Sequence, residues 1–171
     1  TNRLVGSEMC IRDRFMAGVM NCDIHLTDKL SQYVDEVRNG LKLPFISACV
    51  NRSQPKFSVM ENSLIYGLAG LKNVGLEAME VLVKVRNKKI FVNLFDFSRR
   101  LDLRKIGKRP LEMLVQAGAF DELETNRHCI FKSLDALVAY SAAIHDQRVS
   151  KQVSLFGDCL LYTSDAADDD T

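Results

Sequence analysis

Apolar residues recur at helical spacing near the start of the chain. Leu30, Val34 and Val37 are four and then three positions apart, which places them on one face of a helix. Thr27 can cap the start of this helix, and Asn39-Gly40 is typical of its end. These signals predict one amphipathic helix in this part of the chain.

An extended connection and a short β-hairpin are predicted next. Leu41 to Val50 is apolar but interrupted by Pro44, which does not suit the interior of a helix. Phe57-Ser-Val59 and Leu64-Ile-Tyr66 are runs of strand-forming residues on either side of Glu61-Asn62. These runs predict two paired strands joined by a tight turn.

Two pairs of short helices, each joined by a tight turn, are predicted after the strands. The first turn is Lys72-Asn-Val-Gly75, and the helix that follows it has an apolar face of Leu76, Met79, Leu82 and Val83. The second turn is Leu103-Arg-Lys-Ile-Gly107, between a helix that starts at Leu94 and a helix from Lys108 to Ala117. Gly118 is typical of the end of that last helix.

The longest periodic run extends from Asn126 to Gln147 and predicts a long helix. Its apolar face comprises Ile130, Leu134, Leu137, Val138, Ser141 and Ile144. The pattern stops after Arg148, so we expect Val149 to Asp158 to be exposed and flexible. The predicted fold is mainly α, with a short β-hairpin, two turn-linked helix pairs, a long C-terminal helix and disordered ends.

The distribution of charge changes this picture. The 171 residues carry a formal charge of +1, but the last fourteen residues hold five acids and no base. The stretch from Lys84 to Arg109 holds ten bases and only two acids. Such a local surplus of basic residues favours binding of a polyanion, although a basic helical surface exposed to solvent has the same composition. No apolar run is long enough to cross a membrane.

The two ends of the chain are related at the nucleotide level. Cys159-Leu-Leu-Tyr-Thr-Ser164 can be encoded by TGT CTC TTA TAC ACA TCT, and the complementary strand encodes Met9-Cys-Ile-Arg-Asp13 in another frame. Both ends resemble translated transposon-type sequencing adapters. Residues 1–14 and 159–171 are therefore predicted to be non-native tails, the alternative being a genuine acidic tail.

The remaining chain has no predicted metal site, cofactor or catalytic residue. Cys22, Cys49 and Cys129 are widely spaced, and His128 beside Cys129 is too little for zinc, so we expect reduced cysteines. The acids lie scattered beside bases, whereas metal-dependent phosphoryl transfer needs clustered carboxylates.

The first turn is a candidate nucleic-acid site formed by Lys72, Asn73, Val74 and Gly75. Glycine lets backbone amides approach a phosphate, and the following helix N-terminus adds partial positive charge. Val74 would anchor the turn in the core. This is the pattern of a helix-hairpin-helix, which holds the DNA backbone without sequence preference. Asn73 stands where a glycine is usual but can adopt the left-handed conformation, and an ordinary tight turn is the alternative.

The second turn is a more degenerate candidate that carries Arg104, Lys105, Gly107, Lys108 and Arg109. Alone it is typical of a basic, solvated loop. Together with the first turn it makes a tandem helix-hairpin-helix, with the basic stretch on and between the two turns.

A third candidate is a peptide beyond the long helix. Leu155 and Phe156 are adjacent large apolar residues in a polar segment, and Gln152 precedes them with Ser154 between. An extended peptide of this kind can fill an apolar pocket with Leu155 and Phe156 while Gln152 fixes its register. The alternative is that the two apolar residues pack back onto the chain's own domain.

Five motifs follow in an order that resembles one family. They are Val50-Asn-Arg-Ser-x-x-x-Phe57, Tyr66-Gly-Leu-x-x-Leu-Lys-Asn-Val-Gly75, Leu94-Phe-Asp-Phe97, Lys108-Arg-Pro-Leu-Glu-x-Leu-x-x-Ala-Gly-Ala-Phe-Asp121 and Gln152-Val-Ser-Leu-Phe-Gly157. Together they resemble the C-family of bacterial replicative DNA polymerases, the alpha subunits of DNA polymerase III.

The resemblance implies an internal fragment of a longer polymerase. It implies the end of a fingers region at residues 15–50, a tandem helix-hairpin-helix domain at 51–123, a helix and linker at 124–150, and a clamp-binding peptide at 151–158. The family's catalytic carboxylates and magnesium belong upstream of Phe15, so none is carried over to this chain.

The resemblance also implies a function and partners. The fragment would bind duplex DNA and, through Gln152, Ser154, Leu155 and Phe156, tether the polymerase to the sliding clamp, the beta subunit. Other holoenzyme subunits would bind regions of the polymerase outside this chain. The protein would act in the cytoplasm and would not bind a membrane. The alternatives are a helix-hairpin-helix module of a DNA-repair protein, an error-prone polymerase paralogue, and a plain helical interaction domain.

Overall fold

The computed structural model describes residues 2–165, with side chains described for residues 11–151. The α-helices of this part are α1 (Asn2–Cys22), α2 (Thr27–Asp35), α3 (Leu76–Lys88), α4 (Leu94–Arg100), α5 (Leu103–Ile106), α6 (Lys108–Gln116) and α7 (Arg127–Asp165). The strands are β1 (Phe45–Ile46), β2 (Ser58–Met60) and β3 (Ser63–Ile65). The mainly α fold with a short hairpin and a long C-terminal helix is confirmed.

The predicted hairpin is confirmed, and a third strand joins it. β2 and β3 pair antiparallel with Val59 opposite Leu64. Glu61 and Asn62 both have positive φ, as the mirror-image turns that suit a hairpin require. The predicted extended connection contributes β1, which pairs parallel to β3 in the order β1-β3-β2.

The position of the first predicted helix is confirmed, but its predicted N-cap residue is not. α2 begins at Thr27, so Leu26 occupies the N-cap position and makes no side-chain cap bond. The prediction that Thr27 caps the helix is therefore wrong. A π-helical turn, Glu36–Gly40, continues the helix to its predicted end at Asn39-Gly40.

Two buried clusters hold these elements. The N-terminal cluster joins α1, α2 and the sheet through residues such as Met20, Leu30 and Leu64. The larger C-terminal cluster joins α3 to α7, and its centre is an aromatic stack in which Phe97 makes edge contacts with Phe91 and Phe120. Burial of these large rings supplies much of the stabilisation of the C-terminal part.

Both helix pairs differ from prediction in their short elements. A 3₁₀-helical turn, Leu68–Gly70, stands where an apolar α-helix was expected before the first turn. In the second pair, the segment predicted as a turn forms the one-turn helix α5. The end of α6 at Gly118 is confirmed, because that glycine has φ +77.

The last helix is longer than its sequence pattern predicts. Ile130, Leu134, Leu137 and Ser141 are buried, as the apolar face requires. The helix does not stop after Arg148 but continues to Asp165, so the segment expected to be flexible from Val149 to Asp158 has a helical backbone. Within the described residues, none of the helices is long and apolar enough to cross a membrane.

The two ends predicted to be non-native also have helical backbone wherever they are described. Residues 2–14 belong to α1, and residues 159–165 belong to α7. Asp13 is fully buried, and neither of its carboxylate oxygens has a hydrogen-bond partner in the part of the chain that the structure describes. Burial raises the pKa of this carboxyl above its ordinary value. Among the cysteines with described side chains, Cys22, Cys49 and Cys129 are free thiols.

Candidate nucleic-acid interface

The first turn has the backbone that its sequence predicts. Asn73 is left-handed with φ +62, the conformation that asparagine adopts more readily than most residues. Val74 is 8% exposed and packs into the C-terminal cluster, so the predicted anchoring role is confirmed. The amide of Val74 donates to the carbonyl of Leu71 at 3.2 Å, which closes the turn.

Gly75 ends this turn and forms the N-cap of α3. It has φ −77 and ψ 139, an ordinary extended conformation that any residue adopts. A Cβ placed on Gly75 would have no atom within 4 Å. Neither backbone strain nor packing within the described chain therefore explains a glycine here. Because Gly75 has no side chain, α3 also starts without a side-chain cap, so its first amides lack the partner that a capping side chain would supply.

The segment predicted as the second turn comprises α5 and Gly107, and the backbone requires a glycine at Gly107, which joins α5 to α6. Gly107 has φ +93, a value that side chains rarely allow. Leu103 and Ile106 of α5 are buried in the C-terminal cluster. α7 holds the start of this element through Ser141, whose hydroxyl donates to the carbonyl of Leu101 at 2.8 Å and accepts from the amide of Leu103 at 3.1 Å.

Three basic residues of the second turn are engaged in ion pairs. Arg104 contacts Asp102 at 3.1 Å and Asp146 of α7 at 3.0 Å. Its hydrogen bonds hold the pKa of the Asp102 carboxyl below the ordinary value. Lys108 contacts a second acid of α7, Asp135, at 2.6 Å.

The third engaged base is Arg109, which contacts Glu112 one turn along α6 at 3.3 Å. Lys72 in the first turn and Lys105 in the second are exposed and make no ion pair with any described residue. These two lysines are therefore the cations of the predicted site that are free to meet an outside anion.

The two turns share a surface pocket of about 730 Å³ between α3, α5 and α7. Of the predicted site residues, Gly75 from the first turn and Arg104 and Lys105 from the second line this pocket. The remaining predicted residues do not line it; they are Lys72, Asn73, Val74, Gly107, Lys108 and Arg109.

Sequence reasoning missed several residues of the pocket. Arg100 lines it but also donates from Nη2 to the carbonyls of Val85 and Lys89, both at 2.6 Å, so it also ties the end of α3. His145 and Arg148 of α7 also line it. They lie four and seven positions after Ser141, on the same face of α7, and this spacing is the sequence signal that could have identified them.

The third candidate site lies where only the backbone is described. Gln152, Ser154, Leu155 and Phe156 are in the helical backbone of α7, and their side chains lie outside the described residues. Their predicted role in binding stays a prediction.

Comparison with known proteins identifies the family. Residues 42–130, more than half of the chain, match the model of the helix-hairpin-helix motif. The chain is 40% identical over 144 residues to the DNA polymerase III subunit alpha of Caulobacter vibrioides and 36% identical over 145 residues to that of Vibrio cholerae. The corresponding protein of Campylobacter jejuni is 32% identical over 148 residues.

Each of these alignments covers 84% of this chain and 12% of the relative. The chain thus spans about an eighth of the length of the curated relatives it matches. The order of motifs that suggested the resemblance is consistent with these alignments. The chain belongs to the helix-hairpin-helix family, in a form similar to a section of bacterial DNA polymerase III alpha subunits.

Proposed function

We propose that this chain binds the phosphate backbone of duplex DNA at its two turns, without sequence preference. The observation that carries the proposal is Gly75. Its conformation suits any residue and its missing Cβ would face open space, so the bare backbone leaves room for a close approach from outside. The uncapped amides at the start of α3 are suitable donors for a phosphate oxygen.

Charge around the turns supports the same proposal. Lys72 and Lys105 are exposed and lack an intramolecular acid among the described residues, so binding DNA breaks no existing ion pair at either lysine. Arg148 adds a cation on the α7 side of the pocket. Contacts of this kind are made to the phosphate backbone of DNA, which is the same for every base sequence.

Salt dependence provides the first test. Each phosphate neutralised by a lysine releases counterions, so two contacts predict a roughly tenfold loss of affinity between 50 and 200 mM salt. The measurement is fluorescence anisotropy of a labelled duplex with the 171-residue chain, repeated with a second duplex of scrambled sequence. Affinity that is insensitive to salt, or that depends on the sequence of the duplex, contradicts the proposal.

Gly75→Val provides the second test, with Gly18→Val as its matched control. Both glycines are exposed, and a Cβ at either would meet open space, so both variants should fold. Gly18 lies in α1, away from the turns. We expect Gly75→Val to weaken duplex binding about tenfold and Gly18→Val to leave it unchanged. Equal affinities of the two variants, with unchanged circular dichroism, would remove the turn from the interface.

We further propose that the chain tethers a polymerase to a sliding clamp through Gln152, Ser154, Leu155 and Phe156. The sequence pattern and the similarity to polymerase alpha subunits support this proposal. Because the segment has a helical backbone in the free chain, an extended bound form requires the end of α7 to unwind. A tether of this kind raises the effective concentration of the chain on DNA.

A paired alanine variant tests the tether. Leu155 and Phe156 changed together to Ala should abolish pull-down by the clamp and leave duplex binding intact. Leu160 and Leu161 changed together to Ala are the matched control, since they are also adjacent large apolar residues in the backbone of α7. Equal clamp binding by the two double variants contradicts the assignment.

The wider role follows from the same proposals. We place the chain's function in cytoplasmic DNA replication, where it would grip the duplex while other sections of the polymerase carry out nucleotidyl transfer. A DNA-repair module with the same motif is the second candidate. The similarity to polymerase alpha subunits over 84% of the chain favours the replicative role.

A further inference from the structure

A second basic pocket lies at the opposite end of α3 from Gly75. It has a volume of about 490 Å³ and lies between the loop after β1 and the end of α3. Its polar lining comprises Asn51, Arg52, Gln54, Arg86, Asn87 and Lys89. Three of these are cations and none is an acid. It shares no lining residue with the pocket between the two turns.

Arg86 is the buried charge of this pocket. The residue is 5% exposed, and it forms no ion pair with an acid in the described part of the chain. Its Nη1 donates to the carbonyls of Val50, at 3.2 Å, and Ser53. Nε and Nη2 have no hydrogen-bond partner among the described residues. Both nitrogens are accessible from the open space of the pocket, where an anion can accept from them.

The walls around Arg86 are held in place. The side chain of Asn51 donates from Nδ2 to the carbonyl of Phe91 at 3.0 Å, and its Oδ1 accepts from the backbone amide of Phe91 at 3.0 Å. These two bonds fix the loop against the segment that follows α3. Arg52 is held by an ion pair with Glu122, so its charge is partly satisfied. Lys89, Gln54 and Asn87 remain as donors at the open side of the pocket.

We propose that this pocket binds a phosphate group, with Arg86 as its buried donor and Lys89 as its exposed cation. A planar guanidinium with spare N–H groups and a flexible ammonium are the side chains that recognise phosphate oxygens. The site lies outside both turns and stands independently of their proposed role.

Two sources could supply the phosphate. The two ends of α3 are about 20 Å apart at 1.5 Å per residue, roughly half a helical turn of B-DNA. A duplex at the first turn could therefore present another phosphate near this pocket. The other source is a free phosphate or nucleotide.

The first experiment uses inorganic phosphate and the 171-residue chain. We expect phosphate to raise the midpoint of thermal unfolding in a saturable way, beyond the effect of sodium chloride at equal ionic strength. Lys89→Gln should weaken the apparent phosphate affinity about fivefold. Its matched control is Lys88→Gln, the neighbouring exposed lysine that does not line the pocket.

A second variant tests the role of Arg86 without deleting it. Gln54→Glu places a carboxylate in the pocket, which should satisfy the guanidinium and abolish the response to phosphate. Gln32→Glu, an exposed glutamine of α2 outside the pocket, is its control. The proposal is overturned if phosphate raises the midpoint of thermal unfolding no more than sodium chloride does at equal ionic strength. It is also overturned if Lys89→Gln and Gln54→Glu respond to phosphate as their controls do.

Duplex binding distinguishes the two sources. If the DNA backbone supplies the phosphate, Lys89→Gln weakens duplex binding about fivefold and lowers the salt slope by about 1. Unchanged duplex affinity together with a lost phosphate response assigns the site to a free phosphate ligand. Gly75→Val should leave the phosphate response unchanged in either case, so failure of the turns to bind DNA does not decide this test.

Discussion

The attachment of the second turn to α7 depends on one buried hydroxyl. Ser141 is fully buried, and its Oγ bridges the carbonyl of Leu101 and the amide of Leu103 at 2.8 and 3.1 Å. Leu101 follows α4, and Leu103 begins α5. Ser141→Ala removes both bonds and leaves the carbonyl of Leu101 and the amide of Leu103 without this partner.

The magnitude follows from these two groups. Leaving a buried donor or acceptor unsatisfied costs about 1–3 kcal/mol. Alanine offsets roughly 0.5 kcal/mol of this loss through its higher helix propensity. We therefore expect Ser141→Ala to lower the free energy of unfolding by about 3 kcal/mol. Because the second turn loses its attachment, duplex affinity should fall as well.

Urea unfolding followed by circular dichroism measures the change. Ser133→Ala is the matched control on the same helix. Its Oγ donates to the carbonyl of Cys129 at 2.7 Å near solvent, so water can replace the bond. We expect the control to change stability by less than about 0.5 kcal/mol. A loss for Ser141→Ala no larger than that of Ser133→Ala would refute the account of this attachment.

Three further substitutions address the first turn and the N-terminal helix. Asn73→Gly should strengthen duplex binding about threefold by anisotropy, because glycine keeps the left-handed turn and lets a phosphate approach more closely; weaker binding contradicts this. Glu77→Gln should also strengthen duplex binding about threefold at low salt, since Glu77 lines the pocket and repels phosphate, and the gain should vanish at high salt. Asp13→Asn should raise the free energy of unfolding at pH 7. The folded state raises the pKa of the buried carboxyl above 3.8, so the stability of the parent chain falls as pH rises through that interval. The advantage should disappear below pH 3.8 in thermal melts, where Asp13 is protonated in both states, and an advantage independent of pH contradicts the assignment.

Local signals in the sequence were sufficient for the β-hairpin, the first turn and the end of α6, although not for α5. Glu61-Asn62 between two apolar runs predicted the hairpin, and Gly118 predicted the end of α6. Asn73 and Val74 predicted a left-handed turn anchored in the core. Each of these features depends on the φ preferences and the apolar character of a few neighbouring residues, and the sequence carries this information locally.

Only the tertiary structure decided which basic residues remain available. The sequence presented Arg104, Lys105, Lys108 and Arg109 as equivalent cations. α7 pairs Arg104 with Asp146, 42 positions away, and Lys108 with Asp135, whereas Lys105 has no acid beside it among the described residues. The burial of Arg86 against the carbonyls of Val50 and Ser53 was equally hidden. Composition and spacing determine how many charges the chain carries and on which helices they lie, but ion pairing and desolvation depend on distances between elements that only packing sets.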